Sequence, residues 1–174
     1  MLCVAMAKQK ILDLLYELMK NSKRSDRELA KVVGVSQPTI TRMRNNLEKS
    51  GFIREYTVIP AFEKLGFEII ALSFLSTSAM QEHMKEIQMW VSKNSKILFS
   101  SSGEGLNGNT LLVVSIHKDF TDFSMFTKEF RSFLGSNVSS VESFLVSLKT
   151  DVIKHFSFKN LERIKENNFS ETSF

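Results

Sequence analysis

The chain has a single cysteine, Cys3, among 174 residues, so no intrachain disulfide can form and neither a zinc-finger set nor a thioredoxin-like pair exists. Such usage fits a reducing cytosol, and a cytoplasmic protein is expected. Long apolar runs are lacking as well. The opening MLCVAMA is apolar for seven residues with no basic region before it, too short for a secretory signal core. The stretch Ile11–Met19 is interrupted by Asp13 and Glu17, so no membrane association is expected. Histidine is scarce: His83, His117 and His155 show no metal-ligand spacing such as H-x-x-x-H. No Walker loop, nucleophile elbow or carboxylate pair is present. The expectation is a protein with no catalytic residues, metal or cofactor.

What is present is an ordinary globular composition, 43% hydrophobic and 24% charged, in a length that suits one large domain or two small ones. Within it the stretch 25–50, SDRELAKVVGVSQPTITRMRNNLEKS, reads as two helices about a tight turn. Ser25 with Glu28 forms a capping-box pattern, satisfying two free N–H groups at a helix start. Leu29, Ala30 and Val33 supply an apolar side, and Gly34 stands where a helix end favours left-handed backbone. Ser36 is placed to cap the next helix, with Pro38 in its first turn, where its missing N–H is not needed. At 100° per residue, Ile40, Met43 and Leu47 form the inward stripe, while Pro38, Thr41, Arg42, Asn45 and Lys49 fall opposite.

That outward face is short, polar and cationic. A DNA major groove admits one helix and presents acceptor pairs on guanine and an acceptor with a donor on adenine, which Arg and Asn or Gln read bidentately. Arg42 and Asn45 are the expected base readers, with Gln37 and Thr39 near the helix start and Ser36, Thr41 and Lys49 alongside. Similar capped amphipathic pairs occur in proteins that never touch nucleic acid. Charge distribution favours the polyanion. Up to Val58 there are eleven lysines and arginines against six acids, a net +5, whereas the whole chain carries +4, which leaves −1 for the remainder.

Before this pair, Ile11, Leu14, Leu15, Leu18 and Met19 mark a helix over about 8–20. After it, Gly51 ends the third helix and residues 52–59 have the β-branched and aromatic content of a strand or small wing. Arg54 there is placed either to touch a phosphate or to stand as a solvated edge charge. Pro60 breaks the strand, and the pattern changes. Strands are expected at 67–75, 96–102, 110–117 and 138–149, with helices at 79–92 and 120–134. The first helix has Met80, Met84, Ile87 and Val91 as its stripe; the second has Phe123, Phe126, Phe130 and Phe133.

The order β-α-β-β-α-β is the ferredoxin-like arrangement, with both helices on one sheet face. Ser73, Ser100, Ser102, Ser143 and Ser147 alternate with apolar residues, so the uncovered face is expected to be half polar and closed by a second subunit. A homodimer would present the basic part twice, as palindromic half-sites about 34–36 Å apart require. Beyond residue 150, Phe156, Phe158, Leu161 and Ile164 suggest a short strand and helix, and the ending ENNFSETSF is expected to be disordered.

Taken together, this layout resembles the leucine-responsive and asparagine-regulating (Lrp/AsnC) transcription regulators. The resemblance rests on Leu29-Ala30, Gly34-Val35-Ser36, Thr39 with Arg42, Leu47-Glu48 with Gly51 and Ile53, and Leu65-Gly66. It implies an α+β protein: a winged helix-turn-helix domain over 1–58, a linker over 59–66, a ferredoxin-like (RAM-type) domain over 67–150, and an extension over 151–174. It also implies sequence-specific binding of double-stranded DNA, dimers that associate further, and an effector, usually an amino acid, bound between subunits. The family's short Gly-x-x-Asp loop is replaced here by a longer one, with Asn109 best matching the Asp. Gly103, Gly105, Gly108 and Asn109 are the candidate effector contacts; a flexible hairpin loop is the competing reading. Asn109 lacks the charge that would hold an ammonium group. Two rival functions stay open: an enzyme on this scaffold, as siroheme decarboxylase subunits resemble the same family, and a regulator acting through protein partners.

Overall fold

The computed structural model describes residues 2–77, 80–135, 138–150, 152–159 and 161. The chain divides into two compact units, Met1–Ile59 with His155–Phe174, and Pro60–Lys154. Among the described residues no helix is long and apolar enough to cross a membrane.

The first unit is built on three helices, α1 (Leu2–Lys20), α2 (Asp26–Val33) and α3 (Gln37–Lys49). Helix α1 starts six residues earlier than its periodicity indicates, because residues 2–7 favour helix yet offer no polar face to mark it. Leu14 and Leu18 of α1, Leu29, Ala30 and Val33 of α2, and Ile40, Met43 and Leu47 of α3 form one buried cluster, with Ile53 packed against it. Burying a Val, Leu, Ile or Met side chain contributes roughly 1.5–3 kcal/mol, so these side chains tie α1 to two helices, α2 and α3, that are too short to persist singly. Residues 53–60 carry no strand, contrary to the expected wing strand over 52–59. A strand needs a ladder partner, and this segment finds none among the described residues.

The second unit opens with a short 3-10 turn, Phe62–Leu65. It continues as β1 (Ile69–Thr77), α4 (Met80–Lys93), β2 (Ile97–Ser102), β3 (Leu111–His117), α5 (Phe120–Leu134) and β4 (Val138–Ser147). The four strands form one antiparallel sheet in the order β2-β3-β1-β4, the ferredoxin-like sequence of neighbours. Its core is Leu75, Leu111 and Val113 of the sheet beneath Ile87 of α4 and Phe126, Phe130 and Leu134 of α5. Trp90, the only tryptophan, stacks on Phe130 and Phe133 at centroid distances of 4.7 and 5.3 Å.

Strand register corrects the expectation for the uncovered sheet face. Ser73 pairs with Ser143, Ser100 with Val113 and Ser102 with Leu111, which places these serines on the helix-covered side. Ser147 lies opposite Ile69 on that same side. The opposite face carries Leu72, Phe74, Leu112, Val114, Phe99 and Phe144. Phe99 and Phe144 are 55% and 66% exposed, so that face is largely apolar, with Glu142 opposite Phe74 and Ser101 opposite Leu112 among its polar members. The two-residue alternation was visible in the sequence, but which phase met the helices was not. In the tail, Phe156 and Phe158 are exposed and in no strand or helix, and Leu161, at a 3-10 position, is exposed too, contrary to the expected packing; Ile164 and the ending 166–174 lie outside the described residues.

His117 ends β3 with no solvent exposure, between the rings of Phe123 and Phe126. Its Nε2 shares a hydrogen bond with Ser115 Oγ at 2.8 Å, and its Nδ1 lies 3.7 Å from Asp122 Oδ2. Burial lowers the imidazole pKa from its ordinary 6.5; the Asp122 carboxylate opposes this shift and the Lys96 ammonium reinforces it. For Asp122, burial acts upward, but the Lys96 ion pair and the Lys118 amide outweigh it and the pKa falls. The unfolded chain therefore takes up a proton at His117 that the folded sheet refuses, so stability is level at higher pH and is lost as the pH drops below the ordinary histidine value. Urea unfolding followed by Trp90 fluorescence should show a constant midpoint between about pH 8 and 7 and a fall from about pH 6.5 to 5.5. In His117→Gln that fall should flatten; the same fall in the variant would contradict the assignment.

Candidate nucleic-acid interface

The turn between α2 and α3 is held at both ends. Ser25 Oγ accepts the amide of Glu28 at 3.3 Å while the Glu28 carboxylate accepts from the Ser25 amide at 2.8 Å, completing the capping box. The Ser25 hydroxyl, also bonded to Glu28, and the Ser25 amide lower the Glu28 pKa. Gly34 lies in the left-handed region at φ 73°, where a side chain would be strained. Lys10 Nζ of α1 donates to the Val33 carbonyl at 2.6 Å, closing the end of α2 from a third element. At the start of α3, Ser36 has the extended backbone of a cap but makes no side-chain bond to the helix amides. Its hydroxyl pairs instead with Thr39 Oγ1 at 2.8 Å, a correction to the expected cap.

Because Ile40, Met43 and Leu47 are buried, helical geometry sends the other side of α3 to solvent. Gln37, Pro38, Thr41, Arg42, Asn45 and Lys49 are exposed, and Thr39 is half-buried. Arg42, Asn45 and Lys49 thus share the open face as expected. Ser36 is exposed at its leading end, and Arg54 is exposed in the irregular segment after the helix. Thr41 is different. Its hydroxyl donates to Asp26 Oδ2 at 2.7 Å, so it is engaged within the unit.

Asp26 also accepts two bonds at Oδ1 from Arg44, from Nε at 3.1 Å and Nη2 at 2.6 Å. The Thr41 hydroxyl and then the Arg44 guanidinium hold the Asp26 carboxyl below its usual range against the upward push of burial. The Arg44 guanidinium lies 5.9 Å from the centre of the Tyr56 ring, and Tyr56 donates its hydroxyl proton to Glu48 Oε1 at 2.9 Å. Burial, with Glu48, raises the Tyr56 pKa, opposed by Arg44. This network of Asp26, Thr41, Arg44, Glu48 and Tyr56 was missed by sequence reasoning. Asp26 and Arg44 are eighteen residues apart, and only the Arg44–Glu48 spacing of four would have hinted at a shared face. Elsewhere Lys20 and Arg24 both pair with Glu17, so the positive charge of this unit is not all available to a partner.

The candidate effector residues lie together in the loop between β2 and β3. Gly103 N–H donates to the Thr110 carbonyl at 3.0 Å, Gly105 N–H to the Asn109 carbonyl at 2.9 Å, and Thr110 N–H to the Leu75 carbonyl at 2.8 Å. Asn109 is buried at the base, and a Cβ at Gly105 would come within 3.4 Å of its side chain and carbonyl. Asn107, with φ 60°, reaches 3.5 Å from Glu142 Oε1 of β4, and Gly108 follows it. The loop is thus tied to both neighbouring strands. Among the described residues, no group of three or more His, Cys, Asp or Glu is placed to hold a metal ion.

Residues 8–54 match a family model described as winged helix-turn-helix DNA-binding. Over 132 residues, the chain is 30% identical to the HTH-type transcriptional regulator PH0061 of Pyrococcus horikoshii, covering 75% of this chain and 85% of the relative. The crystal structure of PH0061 superposes with a TM-score of 0.73 at 25% identity, over 85% of this chain and 95% of that one. An AsnC family transcriptional regulator from Agrobacterium tumefaciens gives a TM-score of 0.74 at 20% identity, over 89% of this chain and 97% of its own. The regulator NMB0573 from Neisseria meningitidis, solved as a complex with L-Met, gives 0.71 at 20% identity over 86% and 93%.

The capping box carries a direct test. Ser25→Ala should cost the first unit about 1 kcal/mol, read as a lower thermal midpoint of the helical circular-dichroism signal. An unchanged midpoint would show that the α2 start is set by packing alone.

Proposed function

The chain belongs to the Lrp/AsnC family of winged helix-turn-helix transcriptional regulators, and on that premise we propose that it reads a palindromic operator as a homodimer through α3. The observation that carries this reading is the solvent-facing row of Arg42, Asn45 and Lys49 above a fully packed underside. Arg42 and Asn45 take the base edges, Gln37 and Thr39 contact the groove at the helix start, and Ser36, Lys49 and Arg54 contact backbone, while Thr41, expected among these contacts, is bonded to Asp26 and supports the face instead. The division of labour follows the chain: 1–58 as the reading head, 59–66 as the linker, 67–150 as the dimerisation and effector domain, and 151–174 as an extension. The break between the two compact units at Ile59 and Pro60 supports the end of the reading head; the remaining bounds are part of the proposal.

The exposed apolar sheet face, with Phe99 and Phe144, supports closure by a second copy. Dimers of this kind can associate further, because a symmetric pair leaves its outer surfaces repeated. We place the effector contact at Gly103, Gly105, Gly108 and Asn109; an amino acid as the effector is in keeping with NMB0573, solved as a complex with L-Met. A neutral Asn109 favours a weaker hold on an ammonium group than a carboxylate would give. The protein is cytoplasmic in this reading, and it acts as a regulator, as its relatives are named, rather than as an enzyme.

Operator fragments selected from random DNA should bind with a dissociation constant of about 10⁻⁸–10⁻⁹ M and weaken steeply between about 50 and 200 mM salt. Arg42→Ala should cost about 1–3 kcal/mol and relax preference at one base position. Unchanged binding of every fragment by Arg42→Ala and Asn45→Ala would remove α3 as the reader. For the pairing, Phe144→Glu should shift the chain toward monomer in sedimentation; a variant as dimeric as the parent would overturn the sheet-face assignment.

A further inference from the structure

Between the end of α3 and Pro60 the chain carries no helix or strand, so no backbone ladder directs its path away from the helix-turn-helix. Side chains supply direction instead. Ile53 N–H donates to the Leu47 carbonyl at 3.1 Å and its side chain joins the core cluster, which anchors the first residues after the helix. Three residues on, Tyr56 lies beside the Arg44 guanidinium and is bonded to Glu48, while Arg44 is itself held at two points by Asp26 from the start of α2. Tyr56 is 48% exposed, so burial of its ring is a minor reason for it to stay there. Its placement is polar and specific.

We infer that Tyr56 is a positioning residue that fixes the direction in which the chain leaves the reading head, and thereby sets the spacing of half-sites the protein prefers. The inference rests on the paired-head reading above. Two heads joined through a dimerising domain bind a double site with an effective concentration that depends on how stiffly each is carried. A clamped exit concentrates that advantage at one separation; a released exit spreads it over many. Asp26, Arg44 and Glu48 contribute by holding the clamp, and Arg44 is thereby engaged inside the head rather than offered to DNA.

The test uses the full chain and operator DNA in which the separation of two selected half-sites is varied by single base pairs, alongside DNA with one half-site. Tyr56→Phe removes the bond to Glu48 and keeps the ring; Tyr56→Ala removes both. The parent should show a sharp optimum. Tyr56→Ala should bind the optimal site about tenfold more weakly, and Tyr56→Phe about threefold, with single half-site binding unchanged and the spacing profile flattened. Equal losses on single and double sites would mean that Tyr56 only supports the fold, and a profile that superposes on the parent's would mean it directs nothing; either overturns the inference. A parent with no preferred separation would instead overturn the paired-head reading, and this inference with it.

Discussion

The structure of the helix-turn-helix unit depends on the insertion of one helical stripe into one small core. Ile40, Met43 and Leu47 meet Leu14, Leu18, Leu29 and Val33, and nothing on α3 can rotate without exposing apolar surface that costs about 25 cal/mol per Å². With the angle of the helix so fixed, the positions of Arg42, Asn45 and Lys49 follow from 100° per residue. The chemistry of the outward face is therefore a consequence of the packing of the inward one. Around that core, the capping box at Ser25 and the left-handed Gly34 set where the two helices start and stop, and Lys10 closes the turn from α1.

Polar contacts complete what the core begins. Asp26 draws Thr41 and Arg44 together, and Arg44 and Glu48 hold Tyr56, so three segments of the head share one network in addition to the apolar cluster. The effect is to divide the cations of the head into two groups. Lys10, Lys20, Arg24 and Arg44 bind parts of the unit itself, whereas Lys23, Arg27, Lys31, Arg42, Lys49 and Arg54 lie exposed. Net charge draws a polyanion to the surface; only the second group is placed to meet it. In the second unit the same logic appears in apolar form, since one sheet face is sealed by α4 and α5 and the other presents Phe99 and Phe144.

Much of this was legible in the sequence where a contact is local or periodic. The α2–α3 pair could be read to within a residue because capping, glycine and the 3.6-residue stripe all act over four residues or fewer. The four strands and two helices of the second unit were legible for the same reason, and α5 coincides with its aromatic row. What was not legible needed tertiary information. The sheet serines alternate with apolar residues in a way that fits either face, and only the register with β3 and β1 assigns them to the helix side. Asp26 with Arg44, and the closure of the loop between β2 and β3 on Asn109, join residues whose spacing carries no period. The extended chemistry of residues 52–59 suggested a strand, but a strand exists only where a partner accepts its hydrogen bonds.

In the proposed function the exposed row on α3 lies against DNA bases. A photoreactive side chain in place of Asn45, compared with the same group in place of Met89, exposed on α4, tests this most directly on operator DNA. Cross-links from position 45 to bases within each half-site, and none from position 89, are the expected result. Cross-linking of comparable yield from both positions, or none from position 45, would contradict it.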